Sequence, residues 1–282
     1  MKQISILGCG WLGLPLAKTL LEVGFNINGS TTSDTKISVL EKNGIQPYLV
    51  ALSAVEGFND EKEINLFLKN SEILIIDIPP KLRGPVSENF VKKIQNLIPH
   101  IEKSTVEKVI FVSSTAVYND LPLNHTGSDK NWITESEKPQ PETESGKQLL
   151  EAEFLLQNNK NFQTTIVRFG GLIGDDRHPI TFLAGRKNVE NPDGPINLIH
   201  QKDCIGIIDA ILRQAQKENW KWNEVFNAVA PFHPSRKDYY TKKAMALNLE
   251  IPEFDGTKTS NGKTVLSDKI ERVLGYTFQE QP

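Results

Sequence analysis

Cysteine and long apolar runs are scarce in this sequence, and each scarcity excludes something. Two cysteines in 282 residues, Cys9 and Cys204, provide neither a disulfide framework nor a metal-ligand spacing, so a reduced, cytoplasmic setting is expected. The five histidines form no H-x-x-x-H pair, and no metal site is expected. No apolar segment approaches the roughly 20 residues that span a bilayer. The best run, Ile73 to Ile78, is interrupted by Asp77 and stopped by Pro79 and Pro80, so no membrane partner is expected. A net charge of −3 and a pI near 6.0 supply no general attraction to nucleic acid. Internal repeats and low-complexity tracts are also missing.

What is present begins at the head of the chain. Residues 4 to 13 read I-S-I-L-G-C-G-W-L-G, an apolar stretch entering a G-x-G-x-x-G cluster and then the helix-like LPLAKTLLEVG. Strand, spaced glycines and helix in that order suit the pyrophosphate of a dinucleotide, which needs close backbone N–H groups and a helix N-terminus. Gly8, Gly10, Trp11, Leu12 and Gly13 are the expected cofactor-binding positions there. Lys2 and the apolar run could also open a signal peptide, but the glycines would break its helix, no A-x-A site follows, and Lys18 and Glu22 continue a charged face.

Strands and helices then alternate. Strands are expected at 25–29, 48–51, 73–78, 106–113 and 164–169, with helices at 34–42 (Asp34 as N-cap), 61–69, 88–103 (interrupted near Pro99) and 142–158. The fold class is α/β: a doubly wound, Rossmann-type parallel sheet covered on both faces, with a small C-terminal α/β substrate domain. The polar stretch 119–141, with Pro122, Pro139 and Pro141, reads as a lid or binding loop. Beyond Gly170, glycine and proline become dense. A strand at 196–200, a helix at 203–218, a strand at 224–229 and helices near 235–247 and 267–274 follow. The dinucleotide-binding domain is expected to span 1–170, with 200–230 returning to it, and 171–282 to face substrate.

The end of the second strand carries no acid. NAD-selective folds place an Asp or Glu about 20 residues after the glycine loop, on the adenosine ribose; here the stretch is Gly29-Ser30-Thr31-Thr32-Ser33. The hydroxyls of Ser30, Thr31 and Thr32, with Lys36, would accept a ribose 2′-phosphate, so NADP is preferred over NAD as cofactor. The alternative is an ordinary polar turn leading to Asp34.

The fifth strand ends in V-S-S-T-A-V-Y at 112–118, with Lys147 on a later helix, R-F-G-G-L-I-G at 168–174, I-H-Q-K-D at 199–203 and a closing K-I-E-R-V-L-G-Y-T-F. On these residues nearly the whole chain resembles the extended short-chain dehydrogenase/reductase superfamily, in particular its atypical NAD(P)-dependent epimerase/dehydratase-like members. The resemblance implies an oxidoreductase or epimerase in which Ser114 holds the reacting oxygen and Lys147 the nicotinamide ribose. The general acid/base of that superfamily is a Tyr four residues before the Lys; this chain has Thr143. A threonine hydroxyl is far less acidic than a phenol of pKa about 10, which sets standard alcohol oxidation in question. Tyr118 could substitute for the phenol or simply pack in the V-Y turn. The acidic pair that dehydrating members carry after the strand-five Ser/Thr is replaced by Thr115 and Ala116, so 4,6-dehydration is not expected.

Arg177 and His178 in G-D-D-R-H-P and the later His200 are substrate-side candidates, since a guanidinium fork suits phosphate or carboxylate; Asp175 and Asp176 could equally neutralise Arg177. Pro79 and Pro80 either shape the wall beside the cofactor ribose or only end a strand. Trp11 is expected to turn its ring to the partner domain. The substrate would be a sugar-nucleotide-like or other phosphorylated small molecule, its pocket assembled from loops at 79–86, 119–141 and 175–195. The resemblance also implies a homodimer through the helices at 88–103 and 142–158. Two rivals stay open. One is a dinucleotide-binding sensor or partner-binding protein with little turnover. The other is a β-hydroxyacid-dehydrogenase-type enzyme, which would need a longer C-terminal helix than follows Val229.

Overall fold

A computed structural model describes residues 2–57, 59–80, 88–123, 131–217 and 219–282. The chain divides into two compact units, Met1–Val117 with Pro141–Arg168 and Ile208–Phe226, and Tyr118–Gln140 with Phe169–Ile207 and Asn227–Pro282. The first unit takes 208–226 of the expected return segment and leaves 118–140 to the second.

The first unit is built on β1 (Gln3–Leu7), α1 (Gly13–Glu22), β2 (Asn26–Thr31), α2 (Ile37–Lys42), β3 (Gln46–Leu49), α3 (Glu61–Leu68), β4 (Ile73–Ile76), α4 (Phe90–Glu102), β5 (Lys108–Ser114) and α5 (Glu144–Gln157). Strands β6 (Gln163–Phe169) and β7 (Val225–Ala228) complete a seven-stranded sheet of order β7-β6-β5-β4-β1-β2-β3. The fold is the expected α/β Rossmann type. Strands β2, β1, β4 and β5 pair in parallel, and I-L-I-I of β4 and V-I-F of β5 are buried throughout. Such continuous apolar strands are what a sheet covered on both faces requires. Order reverses between β1 and β4, which opens the crevice at their carboxyl ends where ligands bind in this architecture.

Among the element limits that differ from those expected, two have a clear physical reason. β2 continues to Thr31, because its polar residues Asn28, Ser30 and Thr31 are buried and satisfied: Asn28 Nδ2 donates to the Phe67 carbonyl at 2.8 Å. α4 is not interrupted near Pro99 but runs through it to Glu102. Its buried face of Phe90, Val91, Ile94, Leu97 and Ile101 holds the last turn despite the missing N–H.

In the second unit, Gly171–Ile173 pairs in parallel with Leu198–His200. A core of Ile173, Ile180, Ile196, Leu198, Tyr239, Tyr240 and Ala244 forms around the helix Arg236–Ala246. The described parts of the polar stretch after Tyr118 pair with the C-terminal segment. Leu121–Pro122 pairs with Asn261–Gly262, and Trp132–Ile133 with Thr264–Val265. Asn131 Nδ2 adds bonds to the carbonyls of Leu121, Pro122 and Gly262. Of the three loops expected to form the pocket, 81–86 and 124–130 lie outside the described residues, as does Glu218 at the end of the expected helix 203–218. That helix spans Gln201–Gln214. The closing helix is a five-residue π turn, Ile270–Leu274, ended by Gly275 at φ 65°.

Candidate dinucleotide site

The glycine loop joins β1 to α1 at the switch of strand order. Gly8 sits at φ +106°, and a Cβ there would stand 2.4 Å from the Asp77 carbonyl oxygen, so only glycine fits between the ends of β1 and β4. A Cβ on Gly13 would meet the Gly8 carbonyl at 2.2 Å, which lets α1 start hard against the loop. At Gly10 a Cβ would meet nothing within 4 Å; that face is open to an approaching group. The three positions thus divide into tight turn, open approach and close packing, the division a dinucleotide fingerprint requires.

Serine 30 is part of this loop's frame. Its Oγ accepts the Gly8 N–H at 2.9 Å and its carbonyl accepts the Cys9 N–H at 2.8 Å, while the residue is 1% exposed. Thr31 is buried and its Oγ1 accepts from the Ser33 N–H. Thr32 and Lys36 are the exposed members of the expected 2′-phosphate set. Leu12 is buried, Trp11 is partly buried, and Pro79 and Pro80 follow β4 at the crevice.

Asp77, which the sequence presents only as a break in an apolar run, closes the ring of contacts. Its N–H donates to the Leu7 carbonyl at 2.9 Å, and its carboxyl accepts the Gly13 N–H. Burial pushes this carboxyl up to about 8 even though the Gly13 bond favours the charged form. Burial, then the neighbouring Asp77 charge, pushes the Cys9 thiol up to about 12, so Cys9 is an inert packing group. The signal that could have found Asp77 is positional: an acid directly after a fully buried strand, at the point where strand order reverses.

Ser114, Thr143 and Lys147 are brought to one neighbourhood of the first unit. The link is Gly146, whose Cβ would lie 2.2 Å from the Ala116 carbonyl oxygen, so the first turn of α5 rests on the turn 115–117 that follows Ser114. Ser114 Oγ accepts the Ala116 N–H at 3.2 Å. Thr143 is the N-cap of α5, its Oγ1 accepting the Gly146 N–H at 3.1 Å, and Lys147 is exposed one turn later. Behind them, Arg168 makes a bidentate bond to Glu153, both residues buried, and Ser113 Oγ donates to the same carboxylate at 2.5 Å. Sequence reading did not find this pair, which ties α5 to β5 and β6.

Tyr118 belongs to the second unit and is 3% exposed, its hydroxyl 3.0 Å from Asn227 Oδ1. Its phenol is therefore a packing group. In the same unit the turn at 174–177 is closed by reciprocal backbone bonds between Gly174 and Arg177, which leaves Arg177 exposed. His200 Nε2 lies 3.6 Å from Asp175. His178 turns inward instead. Its Nδ1 accepts the Ile180 N–H at 3.1 Å and its Nε2 meets the Tyr239 hydroxyl at 2.8 Å. Burial, then the Lys243 charge, lowers the imidazole to about 4.

Among the described residues no cluster of metal-ligating side chains occurs, and no helix is long and apolar enough to cross a membrane. No protein-family model matches the chain. Among solved structures, the UDP-glucose 4-epimerase of Thermotoga maritima with UDP-glucose superposes with a TM-score of 0.76 at 15% identity, over 100% of this chain and 94% of that one. A short-chain dehydrogenase/reductase superfamily protein of Agrobacterium tumefaciens with bound NAD gives 0.76 at 16% identity, over 99% and 93%. The fold is thus shared with these epimerase and short-chain dehydrogenase/reductase structures. The chain is also 32% identical over 280 residues to protein YeeZ of Escherichia coli (strain K12), covering 99% of this chain and 96% of that protein, and it belongs to the YeeZ family.

Proposed function

We propose that this protein binds a nicotinamide dinucleotide, NADP in preference to NAD, and acts as an oxidoreductase or epimerase on a sugar-nucleotide-like or other phosphorylated small molecule. The observation that carries the reading is the division of labour among Gly8, Gly10 and Gly13 at the β1/β4 switch. The bound NAD and UDP-glucose of the structural neighbours support the class of ligand. In this reading the helix end at Leu12 and Gly13 receives the pyrophosphate. Thr32 and Lys36 face the adenosine ribose, where a carboxylate would repel a 2′-phosphate. Ser114 polarises the substrate oxygen, Lys147 holds the nicotinamide ribose, and Thr143 or an ordered water stands where a tyrosine would move the proton. Arg177 and His200 serve the substrate's anionic part.

One observation favours a second reading, a dinucleotide-binding sensor with little turnover. The Thr143 hydroxyl is engaged in capping α5, and a general acid/base contributes about 10²- to 10⁴-fold to rate. Fluorescence titration with NADPH and NADH tests the binding claim: NADPH is expected to bind at least threefold more tightly, and a tighter NADH would overturn the preference. Turnover of UDP-sugars by the wild-type protein that Ser114→Ala abolishes would exclude the sensor reading.

A further inference from the structure

The carboxyl of Asp77 holds the first amide of α1, the place where an anion gains most from the helix dipole and the unpaired N–H groups. A pyrophosphate drawn to the same helix end would meet a second negative charge there if Asp77 were ionised. We propose that Asp77 is a ligand-selecting residue of the dinucleotide site: its neutral carboxyl braces the glycine loop for binding, and its ionised form competes with the pyrophosphate for the N-terminus of α1. This rests on the dinucleotide reading above.

Among the described residues, the elements beside Asp77 bring it no second charged group. Strand β4 leading to it is I-L-I-I, β1 beside it is Q-I-S-I-L, β5 ends V-S-S, and the first turn of α1 is G-L-P-L; none carries a charge near the crevice end. From the glycine loop Cys9 faces it, and that thiol, pushed up to about 12, stays neutral across the range in which Asp77 titrates. The residue is also fixed from both sides: its carbonyl abuts Gly8, its N–H is bonded to Leu7 and its carboxyl to Gly13. It cannot swing away when charged without releasing the start of α1. Its direction of shift, upward through burial, places the change of charge at mildly alkaline pH.

If only the neutral form binds, the apparent dissociation constant scales inversely with the neutral fraction. NADH and NADPH titrations of the full chain from pH 7 to pH 9, on wild type and Asp77→Asn, read this directly. Asparagine keeps an acceptor for the Gly13 N–H and cannot ionise. Wild-type affinity is expected to fall about tenfold over that interval, and the Asp77→Asn protein to change less than twofold while binding at pH 9 more tightly than wild type. Dinucleotide binding with the same pH slope in both proteins overturns the proposal and leaves the dinucleotide reading intact. No binding of either dinucleotide at pH 7 overturns both. Should the asparagine variant fail to fold, a flat wild-type profile still overturns the proposal and a tenfold fall centred near pH 8 supports it.

Discussion

Single side chains in this protein carry opposite pH signatures. The Asp77 carboxyl ionises at about 8 in the folded chain and near 3.9 when unfolded. Between those values the unfolded chain has released a proton that the folded chain keeps. Stability contributed by this group is therefore full at low pH, is lost as pH rises from about 4 to 8, and is level beyond. Thermal melts of Asp77→Asn against wild type should show a gap in favour of the variant that widens over that window and then stays constant. A gap independent of pH would mean that Asp77 does not remain protonated. His178 acts in the other direction: with its imidazole held at about 4, it withdraws stability as pH falls from 6.5 through 4. Neither effect was legible in the sequence, where Asp77 is one letter in an apolar run and His178 one of five histidines. Both arise from burial, which depends on what the rest of the chain packs around them.

At the scale of elements, the candidate position Thr143 also has a structural part in α5. Thr143 closes the exposed start of a 14-residue helix by accepting from Gly146, and loss of such a cap costs about 1 kcal/mol. Thr143→Ala should lower the melting temperature by about 2–4 °C, and Thr143→Ser should restore it, as followed by circular dichroism. Dinucleotide affinity should stay within twofold in both. The expected helix at 142–158 and the observed Glu144–Gln157 agree closely, since cap chemistry and an apolar stripe are local signals. Strand β2 outruns its expected end at Gly29 because the polar pair Ser30-Thr31 carries no hydropathy signal. Its polar side chains find partners only once α3 and the glycine loop surround them. Likewise, the short ladders that join 121–122 and 132–133 to 261–265 are invisible to local pattern, because their partners lie more than 130 residues away.

For the molecule as a whole, binding of a dinucleotide to the folded form alone must raise stability by mass action. At a free NADPH concentration 100 times its dissociation constant the gain is about 2.7 kcal/mol, or several degrees in melting temperature. A melt in saturating NADPH that does not move would contradict the proposed function. The sequence by itself determined the parallel α/β class and the place of the glycine loop, because apolar β strands alternating with amphipathic helices, and three spaced glycines between them, are short-range patterns. Ser114 and Lys147 were marked only by the family resemblance of the segments that carry them, V-S-S-T-A-V-Y and the later helix. Only the tertiary structure decided that Gly8 must be glycine against Asp77, that the Ser30 hydroxyl and carbonyl frame the glycine loop, and that the Tyr118 hydroxyl meets Asn227. Those outcomes depend on contacts between residues 22 to 109 positions apart, which no local pattern encodes.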